Sequence, residues 1–405
     1  MTDRLYYNDP YLREFDATVL ATSERGGRLA VTLDRTAFYP TSGGQPFDTG
    51  TLGPYQVVEV VDEDDGSVVH VVEEAVDRAG TETGSVVHGV IDWARRFDHM
   101  QQHTGQHVLS AAFARLFDVR TVSFHMGAET STIDLAREVT ADEIARAEDL
   151  ANQVVWEDRQ VAIRYADAEE AARLPLRKEP VRGGTLRLID VGDFDLSACG
   201  GTHVARTGAI GIIAVAGWER FKGGQRLEFL CGRRVLRRWR SLRDHMTASV
   251  RLLSVLPAEL PGAIERMQSE AKEQKRALAG LQTDLARFRA DALAARGVPL
   301  SGDNRDVTLV AQAIDADANG LKSLASAIAE RPGFAVVLVS TASPSLVVVA
   351  RAANVRIKAN DVLGALVKEF GGRGGGRPEL AQGGGLAGEP ASILVSATEA
   401  MKRSS

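Results

Sequence analysis

The sequence predicts an α+β protein in four parts. A small antiparallel β-barrel is expected over residues 1–90, an α+β domain over 91–260, a coiled-coil helical segment over 261–298 and a C-terminal α/β domain over 299–405. Three observations carry that prediction. Strand-like runs broken by Gly and Asp turns fill the first part, helical periodicity alternates with short strands in the second, and beyond Gly262 apolar residues recur at alternating steps of three and four. A chain of 405 residues also exceeds what one hydrophobic core normally organises.

In the barrel the strand runs are "TVLATSE", "RLAVTLD", "YQVVEVV", "SVVHVV" and "GSVVHGVI". Among them lies "TAFYPTSGGQPFDTG", Thr36 to Gly50, which read alone is a tight double turn using Gly43 and Gly44. In the second part an apolar-periodic helix is expected from about Asp98 to Phe117, followed by strands near "VRTVSFHMG" and "STIDLA". Thr140 to Glu143 has the spacing of a capping box opening a helix with Ile144, Ala147, Ala151 and Val154 on its inner face. Further strands are "QVAIRY", "TLRLIDV", "AIGIIAVAGWERF" and "QRLEFLCG". The seam Ile264, Met267, Ala271, Gln274, Leu278, Leu281, Leu285, Phe288 and Ala292 either pairs with a second chain, giving a homodimer, or folds back on its own domain. The last part reads as strand, helix, two strands, helix, the loop "GGRGGGRPELAQGGG" from Gly371 to Gly385, then a final strand and helix.

Composition narrows the class. A hydrophobic fraction of 44% and a charged fraction of 25% are those of an ordinary globular protein. No apolar run reaches membrane-spanning length and the N-terminus has no signal-peptide core, so a cytoplasmic protein with no membrane partner is expected. Two cysteines, Cys199 and Cys231, exclude a disulfide framework. With a net charge of −6, contact with nucleic acid must come from local basic patches.

The chemistry is concentrated in two short stretches. "HTGQH" places His103 and His107 four apart on one helical face, metal-ligand spacing without the glutamate of a zinc protease. "ACGGTHVARTGAIG" supplies Cys199 and His203, again four apart, in a glycine-containing loop. Together they make a His3Cys tetrahedron of the kind zinc prefers, and the whole domain between the halves fits the floor of a cleft better than a structural staple. A closed structural zinc is the alternative. His70 and His88 are expected to be solvated, His99 to lie at the surface unless it supports a ligand, and Cys231 to be a small buried hydrophobe.

"HTGQHVLSAAF" with "CGGTHVARTGAIG", preceded by "TAFYPTSGGQPFDTG", resembles the editing region of alanyl-tRNA synthetases and the freestanding AlaX editing proteins. "GGRGGGRPELAQGGG" resembles the signature of the tRNA-elbow-binding module that ends the same synthetases. With the coiled coil between them the resemblance covers nearly the whole chain. No aminoacylation core and no P-loop is read in the sequence, so the chain resembles the long form of AlaX, an editor without an aminoacylation engine. It departs from the pattern at Thr41, where family members often carry an acidic residue, at Ser197, where the synthetases usually have glutamate, and at Gln106, frequently threonine.

The resemblance implies deacylation of tRNA(Ala) mischarged with serine, and of its glycyl counterpart, with Zn2+ as cofactor. An activated ester needs less leaving-group assistance than a peptide, so the missing glutamate is not obligatory. Zinc either lowers the pKa of a bound water and polarises the carbonyl, or holds the substrate's α-amino group. Selection for serine over alanine requires a hydrogen-bond partner for the extra hydroxyl, and Gln106, Thr121 and His125 are the candidates. For tRNA contact the candidates are Gly43, Gly44 and Gln45 in the barrel turn, Arg233, Arg234 and Arg237 in a basic stripe, and Arg373, Gly374, Gly375, Gly376 and Arg377 in the C-terminal loop, where glycines let backbone amides approach a sugar-phosphate chain. Two rivals remain: a deacylase for another small mischarged aminoacyl-tRNA, since threonyl-tRNA synthetase editing domains have related motifs, and a non-catalytic tRNA-binding protein with structural zinc.

Overall fold

A computed structural model describes residues 1–73, 80–177, 185–301 and 305–404. Its contacts divide the chain into two compact units, Met1–Ser249 and Val250–Ser405.

The first unit opens with β1 (Asp3–Arg4), a short 3-10 turn and β2 (Glu14–Arg25), followed by β3 (Arg28–Leu33), β4 (Arg35–Thr36), β5 (Gly50–Leu52), β6 (Tyr55–Asp62), β7 (Val68–Val72) and β8 (Val86–Ile91). Six of these close an antiparallel barrel in the order β2-β3-β7-β6-β5-β8, as the alternating sequence predicts. Closure removes the edges that an open sheet would leave unpaired. Phe15, Val31, Leu33, Phe38, Leu52, Val57 and Ile91 fill its interior. His70 departs from expectation. It is fully buried on β7, with Nδ1 bonded to the Val31 carbonyl at 3.1 Å and Nε2 to Thr36 Oγ1 at 2.8 Å. Those partners within the wall, rather than solvent, satisfy the ring. His88 is exposed as expected, beside Asp16.

Helix α1 (Trp93–Phe117) starts five residues before the expected Asp98, because the Asp92 side chain caps it by accepting from the Arg95 amide. It is buried on nearly every side from His99 to Phe113, so it lacks the apolar stripe from which its start could be read. Next come β9 (Thr121–Met126), β10 (Ser131–Leu135) and α2 (Ala141–Trp156), the last opened by the Thr140–Glu143 capping box with Ile144, Ala147, Ala151 and Val154 facing inward. After β11 (Val161–Ala166), the short α3 (Ala168–Ala171), β12 (Leu186–Val191) and β13 (Asp195–Ala198) come β14 (Ile213–Phe221), β15 (Gly224–Cys231) and α4 (Arg233–Leu253). Two antiparallel sheets result, β14-β15-β10-β9 and β11-β12-β13, and α1 and α2 share one core with them through Leu109, Phe113, Ile133, Ala147, Ile189 and Phe229.

One buried ion pair ties barrel to helix. Arg96 on α1 and Asp48 in the barrel turn are both shielded from solvent, and the guanidinium also donates to the Pro10 and Ala37 carbonyls. Since each charge has its counterion and each guanidinium nitrogen has an acceptor, the pair is tolerated in the interior.

The second unit contains α5 (Leu260–Ala294), β16 (Val298–Pro299), β17 (Thr308–Ile314), α6 (Ala318–Ala329), β18 (Phe334–Ser340), β19 (Ser345–Arg351), α7 (Ala359–Phe370), β20 (Arg373–Arg377), β21 (Leu380–Leu386) and α8 (Pro390–Arg403). Its sheet runs β16-β17-β18-β19-β21-β20. Alternation sends Val336, Leu338, Val348 and Ala350 to the α6 face, and Val337, Val339, Val347 and Val349 to the face covered by α7 and α8. The end of α5 folds back on this unit through Ala290, while Met267, Leu278, Leu281, Leu285 and Phe288 stay exposed. The expected loop Gly371 to Gly385 is instead the hairpin β20–β21 at the sheet edge. Glycine disfavours strands in general, which conceals the pairing; here a Cβ at Gly376 would lie 2.4 Å from Ala381 Cα, so the missing side chain is what permits the close approach. Among the described residues no helix is long and apolar enough to cross a membrane.

Candidate metal centre

His103 and His107 project from α1 toward the loop after β13, which carries Cys199 and His203. Their four potential ligand atoms lie within 4.8 Å of one another. Cys199 Sγ is 3.4 Å from His103 Nε2 and 3.3 Å from His203 Nε2. A tetrahedral zinc with bonds of ~2.0–2.1 Å to nitrogen and ~2.3 Å to sulfur has N···S edges of about 3.5 Å. The donor set and these two edges therefore fit the ion.

Each imidazole is oriented through its other nitrogen. His103 Nδ1 meets Gln45 Oε1 at 2.8 Å, and the amide is fixed in that sense because Gln45 Nε2 donates to Thr202 Oγ1 while Oε1 also accepts the Thr202 amide. His203 Nδ1 meets Thr104 Oγ1, whose own proton goes to the Met100 carbonyl, so the ring is the donor. His107 Nδ1 donates to Asp195 Oδ2 at 2.9 Å. With Nδ1 the donor in all three rings, Nε2 is the nitrogen turned to the cluster, and it ligates once any proton on it is displaced by a metal, the arrangement that fixes a metal-binding histidine. Asp195 is itself held by Arg177 and by the Ser197 hydroxyl. Burial opposes charge on both partners, yet their hydrogen bond wins: His107 is pushed up to about 9, and Asp195 lies well below the carboxylate range with help from Arg177. Burial also disfavours a Cys199 thiolate, but His103 and His203 draw its pKa well below that of an ordinary thiol. The chain thus supplies a ligand in its binding form.

Two glycines make the geometry possible. A Cβ on Gly201 would sit 2.1 Å from His103 Cε1, and one on Gly44, at φ +86°, would sit 2.6 Å from the Phe124 carbonyl oxygen. Gly44 in turn accepts the Met126 amide, which docks the barrel turn on β9.

The cluster opens on a pocket of about 190 Å3 lined by barrel, α1, β9 and the cysteine loop. Gly43, Gln106 and Thr121 line it. Gln106 Nε2 and Thr121 Oγ1 both donate to Ser110 Oγ, at 2.9 and 2.7 Å. A register shift in the β9–β10 ladder lies beside Thr121, a local irregularity of the sort that re-aims side chains at sites. His125 is not brought there. It is exposed on β9, outside the lining, while its neighbour Phe124 takes the pocket side.

Other expectations shift for identifiable reasons. Gln45 is fully buried behind His103, so it serves the ligand rather than a surface contact. Arg234 is 2% exposed, bound to Asp98 and the Gly127 carbonyl, whereas Arg233 and Arg237 are exposed. His99 is 3% exposed rather than at the surface, because α1 is buried around that turn. Cys231 is buried as expected. Arg373 to Arg377 lie on the exposed edge strand β20. Sequence reading missed Asp195, Arg177 and Thr104. The only signal was position: Thr104 sits inside "HTGQH" and Asp195 just ahead of the cysteine loop.

Family models match at residues 10–95 (tRNA synthetases class II (A)), 186–228 (Threonyl and Alanyl tRNA synthetase second additional domain) and 306–402 (DHHA1 domain). The alanine–tRNA ligase of Pyrococcus furiosus is 34% identical over 94% of this chain, but the match spans only 42% of that enzyme. The alanyl-tRNA editing protein AlaX-L of Pyrococcus horikoshii is 31% identical, and the match covers 95% of this chain and 94% of that protein. The chain belongs to the AlaX-L family of alanyl-tRNA editing proteins. The second additional domain model falls on β12 to β15 and so includes Cys199 and His203 of this AlaX-L-family chain, while the DHHA1 model falls on its second unit.

Proposed function

We propose that this AlaX-L-family chain hydrolyses the ester of tRNA(Ala) mischarged with serine, and that of its glycyl counterpart, in a zinc-dependent reaction. The observation that carries this reading is the His103, His107, Cys199 and His203 cluster at the floor of a pocket whose wall offers Gln106 and Thr121. A zinc ion there would polarise the ester carbonyl and lower the pKa of a bound water to about 7.

The chain's own groups do the rest. Ser110 accepts hydrogen bonds from both Gln106 and Thr121, which fixes their orientation and leaves Thr121 Oγ1 and Gln106 Oε1 as acceptors for a serine hydroxyl. An alanyl ester leaves them unpaired, which is the basis for selection. Tyr39, Ser42 and Gly43 bring the barrel turn to the pocket's edge. Asp195, anchored by Arg177, keeps His107 in its ligating orientation. Among the described residues no carboxylate lines the pocket, so the proton of the attacking water is relayed through solvent or the neighbouring ribose hydroxyl to the leaving ribose oxygen, and the acid product gives its own proton to solvent. The second unit contributes tRNA affinity through Arg373 and Arg377 on β20.

Four protein donors also suit a saturated zinc that merely joins α1 to the cysteine loop. Deacylation of a panel of purified mischarged tRNAs, with and without a chelator, separates the two. Turnover of seryl-tRNA(Ala) that is lost with the metal and restored by zinc is expected. Stoichiometric zinc with no turnover of any ester would leave the structural reading.

A further inference from the structure

A second pocket lies one turn back along the ligand helix. Arg95, His99, His103 and His107 occupy successive i+4 positions of α1, so His99 precedes the first ligand by ~6 Å along the helix axis. Arg95 and His99 line this cavity of about 430 Å3 with Pro46, Asp98, Gly127 and the first turns of α4. Four arginines face it, Arg95, Arg233, Arg234 and Arg237, against the single carboxylate of Asp98. Arg234 takes up that carboxylate completely, through Nε and Nη2. Among the described residues the Arg95 side chain donates only to the Phe47 carbonyl, and Arg233 and Arg237 have no acidic partner. Three positive charges of the cavity wall thus form no ion pair among the described residues, and beyond Asp98 the carboxylate of Glu129 lines the adjoining pocket.

The His99 ring adds an independent sign. It is 3% exposed, and its Nδ1 has no hydrogen-bond partner among the described residues. Burial, with Arg95, Arg234 and Arg96 nearby, holds the ring neutral, its pKa lowered to about 3. A buried polar atom without a partner costs free energy that a ligand can recover, and a wall of unpaired guanidinium groups specifies an oxyanion.

We propose that this pocket is a phosphate subsite, in which Arg95, Arg233 and Arg237 take a backbone phosphate of the tRNA close to its aminoacylated end. The choice of phosphate rests on the deacylase reading: with the terminal ribose at the metal cluster, the linkages next to it lie within reach of a site one helical turn away. The subsite anchors the strand leading into the metal pocket, so its contribution is to affinity and register, not to the chemistry of the ester.

The test uses the full zinc-loaded chain. Binding of uncharged tRNA(Ala) is measured from low to moderate salt for the wild type, for an Arg233→Ala/Arg237→Ala variant, and for Arg146→Ala as a control on an exposed face of α2 away from the pocket. Loss of one phosphate contact should reduce the magnitude of the negative slope of log K against log salt by about 0.7–0.9 in the double variant, with the control at the wild-type value. Hydrolysis of a seryl ester of adenosine, which lacks the phosphate, should be unchanged in the double variant. An unchanged tRNA slope, or an equal loss in the control, overturns the subsite. If inorganic phosphate binds the wild type and not the double variant while the tRNA slope is the same in both, the pocket takes a free anion and the nucleic-acid assignment falls. A slope difference in a protein that hydrolyses no ester leaves the subsite standing and removes the deacylase reading instead.

Discussion

Gly201 shows how closely single atoms are set at the cluster. Its position 2.1 Å from His103 Cε1, were it to carry a Cβ, means that Gly201→Ala must displace either the ring or the cysteine loop. We expect that variant to lose stoichiometric zinc while remaining folded, as read by metal analysis beside circular dichroism; retention of one zinc per chain would show that the loop yields. At Thr121 the issue is polarity rather than space. Thr121→Val keeps the shape and deletes the hydroxyl, so seryl-ester hydrolysis should weaken by about 0.5–1.5 kcal/mol in kcat/KM, with a smaller change for the alanyl ester. The ratio of the two rates is the measurement. Equal loss on both would make Thr121 a support for Ser110 and α1 instead. At this scale the four candidate ligands were legible, because two four-residue spacings are properties of the chain itself. Their supports, Gln45, Thr104 and Asp195, were not, since a hydrogen bond across 58 or 88 positions leaves no local pattern.

At the level of elements, α1 positions the chemistry and is itself held by the barrel. Asp48→Ala would strand the Arg96 guanidinium in a place with no solvent, and removing one partner of such a pair costs about 3–5 kcal/mol. Urea unfolding should show that loss. Replacing both residues with apolar side chains of similar volume should recover most of it, and a double variant no better than the single one would argue that the Pro10 and Ala37 contacts dominate. Periodicity found α2 together with its cap, because one of its faces meets solvent. It misplaced the start of α1 because a helix buried on all sides carries no stripe. The glycine hairpin β20–β21 was hidden for the opposite reason: its residues have poor intrinsic strand preference, and only the neighbouring strand β19 makes that conformation favourable.

For the molecule as a whole, buried histidines with lowered pKa add to the sensitivity to acid. His70 has its pKa lowered from 6.5 to about 4 by burial, so the unfolded chain takes up a proton between those values that the folded chain refuses. Its contribution is complete above pH 6.5 and is lost as the pH falls toward 4, amounting to about 2 kcal/mol between pH 7 and pH 5. His99, lowered to about 3, acts in the same direction. His70→Asn, which retains a donor for the Val31 carbonyl, should reduce the stability difference between those two pH values by about 2 kcal/mol in denaturant titrations. An unchanged difference would place the acid sensitivity elsewhere.

The sequence by itself determined the barrel, the α+β class, the four-ligand spacing and the family resemblance, because alternation, turn residues and short motifs act within a few residues of one another. Only the tertiary structure decided which polar groups face the pocket. It brought Thr121 and Gln106 together at Ser110, left His125 outside, turned Gln45 inward behind a ligand and paired Arg234 with Asp98 while leaving Arg233 and Arg237 open. Those outcomes depend on which segments meet in space, and a histidine, glutamine or arginine has the same local preferences whether its partner is solvent, a metal ligand or a carboxylate.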